Sequence, residues 1–241
     1  KQGVDGAEYI TPLVFMIVLG TVLFNATTAR LFAKMVGVLL KTSDAILFVG
    51  ASSPARLIAK YLKDNGKRVI LIDSNKDFIA QAIKSDLEAF QIDIYHQDLS
   101  DNIELNDVGY LIAMTGSEAV NTYAVDSFSK YFGEQGAYRL ATSKEVLDTN
   151  LSVENQTKFF TPKDDYLNLS EANRDNPEIH EIEITTEKAY RKVLSKCFNE
   201  LKSVPLFVKK GGKLFLIPEF EKLEVPKDNC TLIYLGKECK I

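Results

Sequence analysis

The feature that most restricts the fold of this chain is a short apolar run, a glycine, an amphipathic stretch and a second apolar run that ends in an acid. Ile46–Val49 is followed by Gly50, and Val69–Ile72 is followed by Asp73. Over residues 55–62 apolar side chains recur at helical spacing, which predicts a helix between two buried strands. The acid lies 23 residues after the glycine, as is typical of a dinucleotide-binding βαβ unit.

The turn after the first predicted strand departs from the three-glycine pattern of such units. Gly50 keeps the first glycine, which a tight turn requires, but Ser52 stands in the second position and Ala55 in the third. The helix that follows would present free N–H groups to a pyrophosphate. Because Ser52 places a side chain where that group approaches, a domain of this fold that has lost its ligand is the alternative. The predicted contacts in this turn are Gly50, Ala51, Ser52, Ser53 and Ala55.

Asp73 predicts which nucleotide such a site prefers. A carboxylate at the tip of the second strand can accept hydrogen bonds from both hydroxyls of a ribose. Asp73 is followed by Ser74 and Asn75 rather than by an arginine. An arginine there would serve a 2′-phosphate, so the pattern favours NAD over NADP.

The alternation of apolar runs and amphipathic stretches continues along the chain. Further helices and strands are predicted at residues 78–83, 118–132, Ala89–Ile92, Tyr110–Met114 and Ala137–Ala141. Repeated β-α units predict an α/β domain over residues 44–149, a doubly wound, Rossmann-like parallel sheet with helices on both faces. The carboxyl ends of its strands meet at one edge, which would bring Asp93 and Thr115 to the edge that carries Gly50 and Asp73.

Tyr9–Ala29 is a run of 21 residues without a charge. As a helix it would rise about 32 Å, close to the thickness of about 30 Å of a bilayer's hydrocarbon core. Acidic residues precede the run and basic residues follow it, which places its C-terminal end in the cytoplasm. A signal peptide, which needs the opposite charge order, and a buried core helix are the alternatives. We predict a final transmembrane helix and membrane-exit segment over residues 1–43, with residues 9–29 in the lipid bilayer and residues 30–241 in the cytoplasm.

The C-terminal part of the chain divides into a linker and a small module. Residues 150–178 are polar and contain two prolines, which predicts a linker. Residues 179–241 are predicted to form a module of the order β-α-β-β-β, in which Gly211 and Gly212 make the type I′ turn of a hairpin. A module of this size suits ligand sensing or dimerisation.

Composition and residue counts argue against several classes of function. Residues 44–241 carry 25 basic and 31 acidic side chains, a net charge of −6, which argues against a nucleic-acid partner. The chain has no P-loop lysine motif, and its three cysteines lack metal-ligand spacing. His96 and His180 are its two histidines, and neither accompanies a recognisable nucleophile motif. We therefore predict neither a metal site nor an enzyme.

Three groups of residues carry a resemblance to known families. The glycine turn, Asp73, Asp93 and Thr115–Asn121 resemble the regulator-of-potassium-conductance domain, a Trk-type N-terminal domain. Residues 205–236 resemble its companion Trk C-terminal module in a degenerate form. Residues 13–38 resemble the last transmembrane helix of a bacterial cation:proton antiporter of the sodium/proton exchanger type.

The resemblance implies a nucleotide-sensing cytoplasmic tail of such an antiporter, which exchanges Na⁺ or K⁺ against protons. In that family the nucleotide domain binds NAD(H), or in relatives an adenine nucleotide such as ATP or AMP, and it forms homodimers. The resemblance implies that Asp73 holds the ribose, that Asp93 lies near the adenine and that Thr115 faces the phosphate side. Ser74, Ile94 and Gly116 are further predicted contacts.

Two other functions remain open at this point. The same domain occurs as a tail or regulatory subunit of potassium channels and Trk potassium-uptake systems. A soluble NAD-dependent oxidoreductase would need a soluble N-terminus and a catalytic residue near the nicotinamide. Because the chain begins with Lys1 rather than Met, we expect it to be a fragment of a longer, multi-pass protein of the inner membrane.

Overall fold

The computed structural model divides the chain into two compact units, residues 1–42 and residues 43–241, which are described separately. It describes residues 9–35, 45–97, 99, 103–105, 107–132, 136–147, 165–197, 199, 202–217 and 227–239. Residues 36–43, at the end of the predicted membrane-exit segment, and residues 150–164, in the first part of the predicted linker, lie outside these ranges.

The first unit contains one long helix, α1, Ile10–Met35. Its stretch from Ile10 to Ala29 is long and apolar enough to cross a membrane, and none of that stretch is buried within the chain. The hydroxyl groups of Thr27 and Thr28 donate hydrogen bonds to carbonyl oxygens one turn earlier, at 2.6 and 2.7 Å. Threonines that satisfy their hydroxyls within the helix suit an apolar environment.

The second unit opens with the five-stranded parallel sheet that the sequence predicts. Its strands are β1 Ala45–Val49, β2 Val69–Asp73, β3 Glu88–Gln91, β4 Val108–Ala113 and β5 Ala137–Arg139. Its helices are α2 Ser53–Asp64, α3 Lys76–Lys84, α4 Glu118–Phe132 and α5 Ser143–Leu147. The strand order is β3-β2-β1-β4-β5. The second and third strands lie on one side of β1 and the fourth and fifth on the other, so the order switches between β1 and β4. A ligand crevice forms at such a switch point.

Apolar side chains on both faces of the sheet explain why β1 and β2 are nearly continuous apolar runs. All five residues of β1 are buried, as are the first four of β2. One face packs against α2 through Ala55, Ile58 and Leu62, and the other packs against α4 through Ala124 and Phe128. The α/β, Rossmann-like fold class is therefore confirmed.

The C-terminal part forms an antiparallel sheet. After α6, Tyr166–Asp175, it contains β6 Ile179–Ile184, α7 Glu187–Lys196, β7 Val204–Lys210, β8 Lys213–Leu216 and β9 Cys230–Leu235. The strand order is β6-β9-β7-β8, and the elements from β6 to β9 follow one another along the chain in the order β-α-β-β-β. Gly211 and Gly212 join β7 to β8 with φ of +57° and +76°, the left-handed backbone that a type I′ turn requires.

The structure corrects one part of the predicted domain division. Residues 166–175 of the predicted linker form the helix α6, whose Leu169 and Ala172 are buried in the same apolar core as Ile58 of α2 and Phe207 of β7. The hydroxyl of Tyr61 on α2 also donates a hydrogen bond of 2.6 Å to Glu181 of β6. The polar composition of residues 166–175 gives little sign of these contacts. A helix that packs through a narrow apolar stripe needs few apolar residues, and α6 has such a stripe between α2 and β7.

Candidate functional site

A cavity of about 500 Å³ opens at the carboxyl edge of the parallel sheet, across the ends of β1, β2, β3 and β4. Eight of the predicted nucleotide contacts line it: Gly50, Ser52, Asp73, Ser74, Asp93, Ile94, Thr115 and Gly116. The other three predicted contacts do not line the cavity. Ala51 and Ala55 are fully buried, and the Ser53 hydroxyl accepts a hydrogen bond from α6.

Gly50 makes the close approach of β1 to β4 possible. Its φ is +114°, and a Cβ at this position would lie 3.0 Å from Cγ2 of Thr115 and 3.1 Å from the carbonyl oxygen of Met114. Both the backbone conformation and the neighbouring atoms therefore require glycine. Ser52 of this turn lines the cavity and immediately precedes α2, and the N-terminus of a helix favours an anion.

Asp73 is held at the end of β2 by two backbone N–H groups. Its Oδ2 accepts a hydrogen bond of 2.8 Å from Ala51, and its Oδ1 accepts one of 2.8 Å from Asn75. Each carboxylate oxygen can accept a further hydrogen bond, because each has two lone pairs. The carboxylate is thus oriented by the fold and able to accept from the hydroxyl groups of a sugar.

Ser52 is the one polar side chain of the glycine turn that is both buried and unpaired. The residue is 5% exposed, and its Oγ has no hydrogen-bond partner in the described part of the chain. It precedes α2 without capping that helix through its side chain. A buried hydroxyl without a partner costs about 1–3 kcal/mol, so an acceptor such as a phosphate oxygen at this place would offset that cost. Because the Oγ itself is buried, its donation to a phosphate in the cavity requires a change of the Ser52 rotamer.

Asp93 lies at the end of β3 and is engaged by its own loop. The N–H of Tyr95 donates to its Oδ1 and the Nδ1 of His96 lies near its Oδ2, both at 3.0 Å. These two contacts, the Tyr95 N–H first, hold the pKa of Asp93 below its ordinary value. Asp93 therefore faces the cavity as a carboxylate that His96 contacts from its own loop.

Asn121 fixes the turn after β4. It belongs to the Thr115–Asn121 motif but is not one of the predicted nucleotide contacts. Its Oδ1 accepts hydrogen bonds from the N–H and the hydroxyl of Thr115, both at 2.8 Å, and its Nδ2 donates to the Thr115 carbonyl at 3.0 Å. Asn121 is 4% exposed. A buried amide that makes these three bonds gives Thr115 and Gly116 a defined position at the cavity.

The cavity contains carboxylates but no basic side chain among its described lining residues. Arg56 is the arginine nearest in sequence to the glycine turn, but its guanidinium donates to the Ala51 carbonyl at 2.5 Å and to Gln81 at 2.7 Å. It also lies 5.9 Å from the centre of the Phe78 ring, and burial lowers its pKa. Favourable potential for a phosphate in this cavity therefore comes from the N-terminus of α2.

Sequence reasoning missed several lining residues, of which Tyr166 is the most distant in the chain. Its ring packs on Gly116, where a Cβ would lie 3.1 Å from Cε1 of Tyr166. Asp165 gives the local signal for the helix that carries it, because its side chain accepts from the N–H of Asn168 as an N-cap. The missed residues that follow β2 and β3 are Asn75, Phe78, Ile92 and Tyr95.

Within the described ranges, no three histidine, cysteine, aspartate or glutamate side chains come together as a metal site requires. Cys197, Cys230 and Cys239 are buried free thiols in the core of the C-terminal part. His180 packs against Tyr234 with ring centres 5.5 Å apart. That the chain is not an enzyme stays a prediction.

Comparison with known proteins bears on this site directly. Residues 46–146 match the family model of the TrkA-N domain, which supports a regulatory, nucleotide-binding role in potassium-transport systems. The chain is also similar to the solved structure of a functionally unknown conserved protein from Silicibacter pomeroyi DSS, with 19% sequence identity and a TM-score of 0.34. That similarity covers 43% of this chain and 37% of the length of that protein. No curated protein matches the chain.

Proposed function

We propose that residues 43–241 bind NAD(H) and act as the cytoplasmic regulatory tail of a membrane cation:proton antiporter. The observation that carries the proposal is the pairing of an oriented carboxylate with an unpaired hydroxyl in one cavity. Asp73 is positioned by two N–H groups at the end of β2, and Ser52 Oγ lacks a partner beside the N-terminus of α2. A ribose and a phosphate would satisfy these two groups in turn.

Each part of the dinucleotide has residues that suit it. The N-terminus of α2, Gly50 and Ser52 would hold the pyrophosphate, and Asp73 would accept from the ribose hydroxyls. Asp93 and Ile94 at the end of β3 would lie by the adenine. Because NAD and NADH differ by a hydride on the nicotinamide, the bound dinucleotide would report the redox state of the cell.

Charge favours NAD(H) over the other nucleotides. The described lining of the cavity includes Asp73 and Asp93 and no lysine or arginine. A 2′-phosphate would meet the carboxylate of Asp73, and a triphosphate would lack cations to balance its charge. NADP and ATP should therefore bind more weakly than NAD(H), whereas AMP offers too few contacts to use the whole cavity.

The membrane part of the proposal rests on α1. An apolar helix long enough to cross a bilayer precedes the nucleotide-binding fold, and positive residues follow its apolar stretch. In this proposal ion transport belongs to a membrane domain of the same protein, and two tails pair as a homodimer. A nucleotide can bias that domain only if it binds two arrangements of the tail with different affinities.

Two experiments test the proposal in its two parts. Calorimetric titration of the full chain in detergent with NADH, NAD, AMP and ATP should give the tightest binding for NADH or NAD. Absence of binding by all four would contradict the nucleotide site. For the antiporter, proteoliposomes of the natural protein that carries this tail should exchange Na⁺ or K⁺ against protons at a rate that NADH changes.

A tail or subunit of a potassium channel or Trk uptake system is the second candidate, because the TrkA-N match of residues 46–146 fits these systems as well. Potassium flux that NADH changes without any countermovement of protons would favour it over the antiporter. A shift of luminal pH that requires external Na⁺ or K⁺ would favour the antiporter.

A further inference from the structure

Tyr166 is a wall of the nucleotide cavity that comes from outside the nucleotide-binding fold. It lies on α6, beyond the residues 46–146 that match the TrkA-N domain. Its half-buried ring lines the cavity and packs on Gly116, with Cε1, Cδ1 and Cζ at 3.1, 3.4 and 3.5 Å from the position that a Cβ of Gly116 would take. Any side chain at residue 116 would therefore displace the ring.

The rest of α6 holds the ring in this place. Leu169 is fully buried in the core shared by both parts of the unit. Nδ2 of Asn173, two turns after Tyr166, donates a hydrogen bond of 3.1 Å to Oγ of Ser53, the first residue of α2. Asp165 is 7% exposed and caps the helix. The ring is thus fixed by packing and hydrogen bonds rather than by an exposed loop.

The order of polar groups along the cavity gives the direction of a bound dinucleotide. The strand order places Asp93 of the β3 end beside Asp73 of the β2 end, then the glycine turn, and then Gly116 after β4. With its first ribose at Asp73 and its phosphates at the N-terminus of α2, a dinucleotide extends its second nucleoside toward Gly116 and Tyr166.

We propose that the ring of Tyr166 contacts the second nucleoside of a bound dinucleotide and makes the site selective for dinucleotides over adenine mononucleotides. This inference rests on the proposed NAD(H) function. A planar heterocycle finds an apolar aromatic surface here, and stacking on such a surface needs no charge from the cavity. Because α6 also packs against β7 and β9, the contact connects the nucleotide to the C-terminal sheet.

The test compares two ligands and four forms of the full chain. Tyr166→Leu removes the aromatic face but keeps apolar volume over Gly116, and Tyr166→Phe keeps the face. Leu167→Ala is the matched control, because Leu167 is the next residue of α6 and is 64% exposed. Calorimetry measures the affinity for NADH and AMP, and thermal unfolding checks that each variant folds.

Tyr166→Leu should weaken NADH binding by about fivefold to a hundredfold, the range that stacking on an aromatic side chain supports, and leave AMP binding unchanged. Leu167→Ala should bind both ligands as the unaltered chain does, and Tyr166→Phe, which keeps the aromatic face, should recover most of the NADH affinity that Tyr166→Leu loses. Unchanged or tighter NADH binding in Tyr166→Leu would overturn the inference, as would an equal loss for AMP, while the proposed function would stand. No binding of NADH to the unaltered chain would overturn both.

Discussion

The backbone N–H of Ala51 donates a hydrogen bond of 2.8 Å to Oδ2 of Asp73, which joins the glycine turn to the acid at the end of the next strand. The two residues are 22 positions apart. Asp73 therefore stabilises the glycine turn in the free protein, besides any contact that it makes with a sugar. The bond also means that the turn and the carboxylate are positioned together, so a change at one alters the other.

Replacement of Asp73 tests its contact with the ribose. Asp73→Asn keeps an oxygen that can accept from Ala51 but loses the charge that strengthens bonds from sugar hydroxyls. NADH affinity in calorimetry should fall at least about tenfold, the effect of a charge-assisted hydrogen bond. Asp64→Asn, an exposed carboxylate on α2 outside the cavity, is the control and should leave affinity unchanged. Equal affinities in the two variants would exclude the proposed pose.

Ser52 and Ser53 offer a matched pair of serine-to-alanine changes. Ser52→Ala removes a buried hydroxyl without a partner, so the free energy of unfolding should rise by about 1–3 kcal/mol, while NADH affinity falls several-fold. Ser53→Ala leaves Nδ2 of the buried Asn173 without its acceptor, which should cost about 1–3 kcal/mol of stability. Chemical denaturation and calorimetry measure both quantities. Tighter NADH binding in Ser52→Ala would show that the serine obstructs the phosphate.

Asn121→Ala should loosen the turn after β4. The change leaves the N–H, the hydroxyl and the carbonyl of Thr115 without their three bonds to the amide. Loss of this buried group should reduce the free energy of unfolding by about 2 kcal/mol in chemical denaturation. A loss below about 0.5 kcal/mol, as for an ordinary surface change, would mean that Asn121 does not hold the turn.

The ion pair of Arg139 and Glu145 should matter more for stability than an exposed pair. Their side chains are 13% and 11% exposed, at 2.9 Å, and the pairing raises the pKa of Arg139. Arg139→Gln takes the cationic partner from a largely buried carboxylate, which keeps the Thr142 N–H as a donor, and should cost about 3–5 kcal/mol. The control Arg191→Gln breaks an exposed pair with Glu187 and should cost about 0.5 kcal/mol. Chemical denaturation of both variants gives the comparison, and similar costs would refute it.

The parallel sheet could be predicted because its strands are buried on both faces. Ile46–Val49 and Val69–Ile72 are continuous apolar runs, and each ends at a residue that lines the cavity. The predicted third strand, Ala89–Ile92, differs by one residue from the observed Glu88–Gln91, because an edge strand has neighbours on one side only and a weaker apolar pattern.

Contacts between segments that are distant in the chain could not be predicted from the sequence. The sequence predicts a linker at Tyr166 because the surrounding residues are mostly polar, and no local pattern indicates that its ring packs on Gly116, 50 positions earlier. The burial of Ser52 Oγ likewise depends on packing around the turn. Eight of eleven predicted contacts line the cavity because strand ends converge whatever the intervening loops do.

The measurement that tests the central claim most directly is a calorimetric comparison of NADH and NADPH on the full chain. The two ligands differ by one phosphate on the ribose that Asp73 is proposed to hold. NADH should bind as one molecule per chain, and NADPH should bind at least about tenfold more weakly because its phosphate meets a carboxylate. No binding of NADH, or equal binding of both ligands, would contradict the account.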